Sequence, residues 1–132
     1  MLTITRRLFV LLFTIGLVSL ASCGPSLPAK GPMPQGVAWT GVWDTTFGPL
    51  VLKQEGNRVV GVYKYGEAGI VGAVVGETDG NYVNFKWAEQ EGGAGTGHGL
   101  FVMAEDGNSF TGAWGTGEDD RGSGSWEGTR VQ

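Results

Sequence analysis

The 132-residue chain contains one cysteine, one histidine and fewer basic than acidic side chains, 9 against 13. A lone cysteine excludes a disulfide within the chain. With a single histidine as well, a zinc site assembled from several His and Cys ligands is out of reach. The shortage of positive charge argues against a nucleic-acid partner, because phosphate binding depends on clustered Lys and Arg. The longest apolar run, Leu8 to Ala21, has 14 residues, whereas a bilayer-spanning helix takes ~20. From Trp39 onward no 3.6-residue apolar period runs for three turns, which removes amphipathic helices as the building unit.

What is present begins at the N-terminus. The 14-residue run follows Arg6-Arg7 and has the length and position of the apolar region of an export signal. It ends in Leu20-Ala21-Ser22-Cys23, which resembles the lipobox of bacterial lipoprotein precursors. That resemblance implies removal of residues 1–22, a lipid on Cys23, and attachment of the exported protein to a membrane of the bacterial cell envelope. Thr5-Arg6-Arg7-Leu8-Phe9 also resembles the start of a twin-arginine signal, while the apolar segment suits the general secretory route equally. Gly24 stands where some lipoproteins carry an aspartate that retains them at an inner membrane, so an outer membrane is expected where the host has two. Processing removes two arginines and leaves seven basic against thirteen acidic side chains. After Cys23, the stretch up to residue 38 holds four of the five prolines and no aromatic residue. It is expected to be an extended tether of ~3.1 Å per residue, followed by one domain over 39–132.

In that domain, runs of alternating polarity six to eight residues long are separated by Gly-, Asn- and Asp-rich turns, the pattern of an all-β fold. Eight strands are expected at about 39–47, 50–55, 58–65, 69–76, 81–89, 98–105, 109–115 and 122–130. Short connections make them an antiparallel up-and-down meander, whose edges disappear if it closes into a barrel. The stretch Gly56-Asn57-Arg58-Val59-Val60-Gly61-Val62-Tyr63 returns as Gly107 to Trp114 and more loosely as Gly80 to Trp87. Each copy starts with a Gly-Asn turn and launches an odd-numbered strand, so the three turns belong at one end. The longer connections, including the glycine-rich 90–97, belong at the other, which is the expected mouth.

Side chains two apart share a face of a strand. Arg58 and Lys64 mark the outside of the third strand and place Val59, Gly61, Tyr63 and Tyr65 inside. The same reading turns Val83, Phe85 and Trp87 inward, together with Phe110, Gly112 and Trp114, Gly124 and Trp126, and Trp39, Gly41, Trp43 and Thr45. Inward glycines leave space for rings on neighbouring strands. Tyr63, Trp87 and Trp114 each lie six residues past a Gly-Asn turn and are expected as an aromatic collar near the mouth. The collar is either a shallow pocket or a plug, since eight strands enclose only enough space for side chains or one small ligand.

Thr40-Gly41-Val42-Trp43, Gly48 and Gly56 to Tyr63 are spaced in a way that resembles the opening hairpins of avidin and streptavidin. The resemblance implies an eight-stranded up-and-down barrel that binds biotin at the mouth, with Tyr63 at the family's biotin-contacting tyrosine. The asparagine and two serines that hold the ureido group fall on Thr45, Pro49 and Tyr65, of which only Thr45 is similar in chemistry. A urea buried without partners costs ~1–3 kcal/mol per lost hydrogen bond, so the resemblance implies fold more than biotin binding. The Gly-x-Trp of the first strand also resembles lipocalins.

Other chemistry finds little support. His98 has no nucleophile and acid placed to form a triad; Ser109, Ser123 and Ser125 flank turns or point outward. The glycines at 92–99 precede a strand, whereas a phosphate loop needs a helix behind it. Glu118-Asp119-Asp120 offers carboxylates to a calcium ion, but three consecutive acids beside Arg121 also describe a solvated turn. The expected protein is non-enzymatic and has no cofactor or metal. It binds a small ligand or a protein at the mouth, a small ligand through Thr45, Tyr63, Tyr65, Trp87 and Trp114. The alternative is an envelope inhibitor or interaction module acting through the 90–97 loop, with Glu91, His98, Asp119 and Asp120 facing a protein partner.

Overall fold

The computed structural model describes residues 26–131; the segment expected to be an export signal, and Cys23, lie outside the described residues. Every regular element among the described residues is a strand. The strands are β1 (Gly41–Thr45), β2 (Gly48–Glu55), β3 (Arg58–Tyr65), β4 (Ile70–Asp79), β5 (Tyr82–Glu89), β6 (Thr96–Met103), β7 (Ser109–Thr116), β8 (Gly124–Ser125) and β9 (Gly128–Arg130). The last two are halves of one strand. Both keep a single register against β7, where Ala113 faces Ser125 and Phe110 faces Gly128, and Trp126 N–H still donates to Gly112 O.

Neighbouring strands pair antiparallel throughout, and β1 returns to β9 through Trp43 opposite Arg130 and Thr45 opposite Gly128. The sheet therefore closes into an eight-stranded up-and-down barrel, in which no strand edge is left for another chain to extend. The strands differ from the expected bounds mainly at their ends. β1 is confined to 41–45, β4 runs on to Asp79, and β6 begins at Thr96, because ladder pairing continues as long as a partner strand is alongside.

Alternation sets the core. Trp43, Leu50, Leu52, Val59, Tyr63, Val74, Val83, Phe85, Trp87, Phe101 and Phe110 are all buried in one cluster. On the opposite face Val42, Val51, Val62 and Val75 remain 42–56% exposed. β6 breaks the alternation, since outward-facing Leu100 and Val102 are as buried as inward Phe101 and Met103. Large rings oppose glycines: Tyr63 faces Gly72, Phe85 faces Gly76 and Gly99, Trp87 faces Gly97, and Phe101 faces Gly112. A Cβ on Gly99 would come within 2.7 Å of the Phe85 ring and 2.8 Å of Ala113 O. Small-against-large filling is thus the packing rule of this barrel.

The Gly-Asn turns share one end, as their odd-strand positions require. Gly56 and Gly80 carry φ of 60° and 59°, with no non-glycine residue at positive φ among the described residues, the pattern of two-residue hairpins with glycine in the first central position. Gly107-Asn108 sits in a longer loop closed by Ala104 N–H on Ser109 O.

The segment expected to be an extended tether packs against this end from Pro28 onward. Gly31 and Asn81 exchange two hydrogen bonds, Gly31 N–H to Asn81 Oδ1 at 2.8 Å and Asn81 N–H to Gly31 O at 2.9 Å. Tyr82 hydroxyl donates to Pro28 O, and Lys30 pairs with Asp79. Met33 and Val37 pack against the core beside fully buried Trp39, whose indole N–H has no hydrogen-bond partner among the described residues. Arg130 fastens this end, donating to Gly107 O, Thr40 O and Ala38 O while its guanidinium lies 4.2 Å from the centre of the Trp43 ring. One end of the barrel is therefore closed by chain as well as by turns.

Candidate functional site

The opposite end holds the connections 46–47, 66–69, 90–95 and 117–123. Six rings converge there. β3 supplies Tyr63 and Tyr65, β5 supplies Trp87, and β7 supplies Trp114. Phe47 comes from the β1–β2 turn and Trp126 from the gap between β8 and β9. The positions of Tyr63, Tyr65, Trp87 and Trp114 follow from period-two alternation, all four being inward residues towards the ends of their strands.

The rings meet mostly edge to face. Phe47 is central, with centroids 5.4 Å from Tyr65, 5.6 Å from Trp114 and 5.1 Å from Trp126. Trp87 meets Trp114 at 5.7 Å and 81°, and Tyr63 meets Trp126 at 4.9 Å. Such contacts place the positive edge of one ring on the negative face of another. Two of the three indoles are further fixed by hydrogen bonds: Trp87 donates to Gly115 O at 3.0 Å, and Trp126 to Thr45 Oγ1 at 3.1 Å. Between the rings remains a cavity of about 30 Å³, room for one or two water molecules. The collar is thus largely interlocked, with a small cavity at its outer side.

A carboxylate closes it. Glu89 Oε2 accepts from the Tyr63 hydroxyl at 2.8 Å, and Oε1 accepts from the Tyr65 hydroxyl at 3.0 Å and from Ala94 N–H at 2.8 Å. The last bond draws the 90–95 loop over the opening, helped by Glu89 N–H on Gly95 O and Gln90 N–H on Val71 O. Ala94 then forms part of the cavity wall. Gly92 and Gly95, both with φ of 93°, supply backbone angles that other residues adopt only under strain. Burial foremost, then the hydrogen bond to Glu89 and its charge, push the Tyr63 hydroxyl far above its ordinary pKa. The same causes in the same order raise Tyr65.

Of the residues singled out from sequence, Tyr63, Tyr65, Trp87 and Trp114 come together around the cavity. Thr45 does not line it. Its hydroxyl donates to Gly48 O and accepts from Phe47 N–H and Trp126 Nε1, so it holds the rings rather than the space between them. Pro49 points outward and is exposed. His98 lies on the outer wall of β6, where Nδ1 donates to Gly117 O. Asp119 caps its own loop by accepting from Arg121 N–H and Gly122 N–H, and Asp120 pairs with Arg121, whose hydrogen bond lowers the Asp120 pKa. Glu91 is exposed. His98 and Asp120 border one depression on the outer wall, Glu91 and Asp119 lie in separate loops, and none of the four lines the aromatic cavity.

Glu89, Phe47 and Ala94 were not foreseen. Counting by twos from Trp87 reaches Glu89 and from Thr45 reaches Phe47, so alternation carried that signal; a charged residue on an inward row is the mark to look for. Ala94 has no such signal, because loop geometry places it.

No protein-family model, curated protein or solved structure matches the chain. The site's own geometry therefore carries the functional reading.

Proposed function

We propose that this is a lipid-anchored, non-enzymatic β-barrel of the bacterial cell envelope that binds a small molecule at its loop-rich end. The aromatic cavity closed by a glycine-rich loop is the observation that carries the reading. Hydrophobic walls with a few placed polar groups are the usual composition of a ligand site, and here the walls are indole, phenol and phenyl rings around one carboxylate. The opposite end offers no comparable entrance, being covered by residues 28–39. The anchor rests on Leu20-Ala21-Ser22-Cys23, with placement in an outer membrane following from Gly24 in a two-membrane host.

The alternative, an envelope inhibitor that inserts the 90–97 loop into a target, has less support. Gln90 to Gly95 are bonded back onto the barrel through Glu89 and Val71, an arrangement suited to a cover. The non-enzymatic reading is supported by the position of His98 on the outer wall, apart from the cavity and bonded to a backbone carbonyl.

The test is a small-molecule screen on the full chain followed by tryptophan fluorescence. The expected result is saturable ligands whose signal weakens at least tenfold in Trp114→Leu. Hits unaffected by that substitution would place binding elsewhere, and capture of an envelope protein lost on shortening 90–95 would favour the alternative.

A further inference from the structure

We infer that the ligand is an organic cation, an alkylammonium head group seated among the rings beside Glu89. This rests on the reading that the loop-rich end takes a small ligand, and it specifies the class. Three observations combine. First, three tryptophans, two tyrosines and a phenylalanine line one small space; ring faces attract cations through their quadrupole, tryptophan most strongly. Second, the only charged group in the lining is the Glu89 carboxylate. Its partners are two hydroxyls and a backbone amide, and the ion pairs among the described residues, Lys30–Asp79, Lys53–Glu55 and Arg121–Asp120, leave it without a cation. A carboxylate without a counter-charge, lining the same half-buried space as the rings, creates a negative potential that a cation relieves.

Third, size and polarity disfavour other classes. A cavity of about 30 Å³ admits a primary ammonium head, and lifting Ala94 with the 92–95 glycines admits a bulkier quaternary one. A sugar would need several free donors and acceptors in register with its hydroxyls, whereas the lining offers little beyond the Trp114 indole N–H and one spare acceptor position on Glu89, the Tyr63, Tyr65, Trp87 and Trp126 donors being engaged already. An anion would meet Glu89. On an incoming cation the carboxylate has lone pairs to spare, because two oxygens offer about four acceptor positions and three are used.

The test titrates the full chain with choline and with its uncharged isostere 3,3-dimethylbutan-1-ol, following tryptophan fluorescence. Choline is expected to bind saturably and at least about tenfold more tightly than the alcohol, a ratio equal to ~1.4 kcal/mol. Glu89→Gln is expected to reduce that preference to about threefold or less. Because that substitution also loosens the loop, the wild-type protein is measured at low and high salt as well; choline affinity should fall with ionic strength and that of the alcohol should not. Equal binding of the two probes, or a choline affinity indifferent to both salt and Glu89→Gln, would overturn the cation assignment and leave the pocket standing. Absence of saturable binding by either probe would overturn this inference, and failure of the wider screen as well would remove the pocket itself.

Discussion

Replacing Glu89 by Gln keeps its shape and removes its charge, so it isolates what the carboxylate does at the mouth. In the wild-type protein three donors converge on it, the hydroxyls of Tyr63 and Tyr65 and the amide of Ala94. Glutamine has one carbonyl oxygen and an NH₂ group. The Ala94 amide can only donate, so the carbonyl must take the Oε1 position near Ala94 and Tyr65. The Tyr63 hydroxyl must then rotate and accept from the NH₂. All three contacts survive in outline, but charge-assisted bonds worth about 1.5–3 kcal/mol become neutral ones worth about 0.5–1.5. Because the group is half-buried and its bonds are coupled, the loss is expected at about 1–2 kcal/mol in total. In a domain of this size each kcal/mol shifts Tm by roughly 4–8 °C, so a fall of roughly 5–15 °C is expected. Thermal unfolding followed by near-ultraviolet circular dichroism measures it. Amide exchange at Ala94 should accelerate in the same variant while exchange in β3 and β5 stays slow. An unchanged Tm together with unchanged exchange at Ala94 would refute the claim that Glu89 holds the loop.

Three further outcomes follow from the packing. Gly99→Ala should cost about 1–3 kcal/mol by overpacking, since the added methyl meets Phe85 and the Ala113 carbonyl; a loss under about 0.5 kcal/mol in urea unfolding would count against small-against-large filling. Asn81→Ala removes the acceptor for Gly31 N–H, and should cost about 1 kcal/mol and expose residues 26–37 to limited proteolysis, whereas equal resistance would show the segment held by other means. Alkaline stability provides the third. Tyr63 and Tyr65 titrate above their unfolded value of about 10, so the unfolded chain loses those protons first. Stability is therefore whole below pH ~10 and falls as pH rises beyond it, by up to about 1.4 kcal/mol per pH unit for buried Tyr63, with Tyr65 acting in the same direction. Glu89→Gln should flatten that fall, because part of the upward shift comes from the carboxylate; a pH-independent stability between 10 and 12 would contradict it.

The barrel was legible in the sequence because each of its rules is local. Alternation of Val59, Tyr63, Phe85 and Trp87 with polar neighbours fixes which side faces in, and the Gly-Asn turns fix which strand ends lie together. What escaped depends on contacts between distant segments. Proline and glycine at 24–38 specify a stretched backbone, yet nothing in that composition says that Gly31 will pair with Asn81 or that Val37 will slide beneath Gly107. Both faces of β6 are buried around Leu100 and Val102, which period two alone cannot foretell. At the site the rings follow from alternation, as does the place of Glu89, two positions beyond Trp87 on the same row; its role depends on Tyr63, Tyr65 and Ala94, which the fold brings around it. Thr45 is the reverse case, a residue given to a ligand by resemblance whose hydroxyl is engaged by Phe47, Gly48 and Trp126 in this structure.

The central claim is that the loop-rich end, and not the end capped by residues 28–39, is the binding end. The most direct measurement is the indole N–H spectrum of the ¹⁵N-labelled full chain during a choline titration, because its five tryptophans divide between the two ends. Saturable shifts of Trp87, Trp114 and Trp126 are expected, with Trp39 and Trp43 unmoved. Shifts led by Trp39 or Trp43, or a spectrum that does not respond at all, would contradict it.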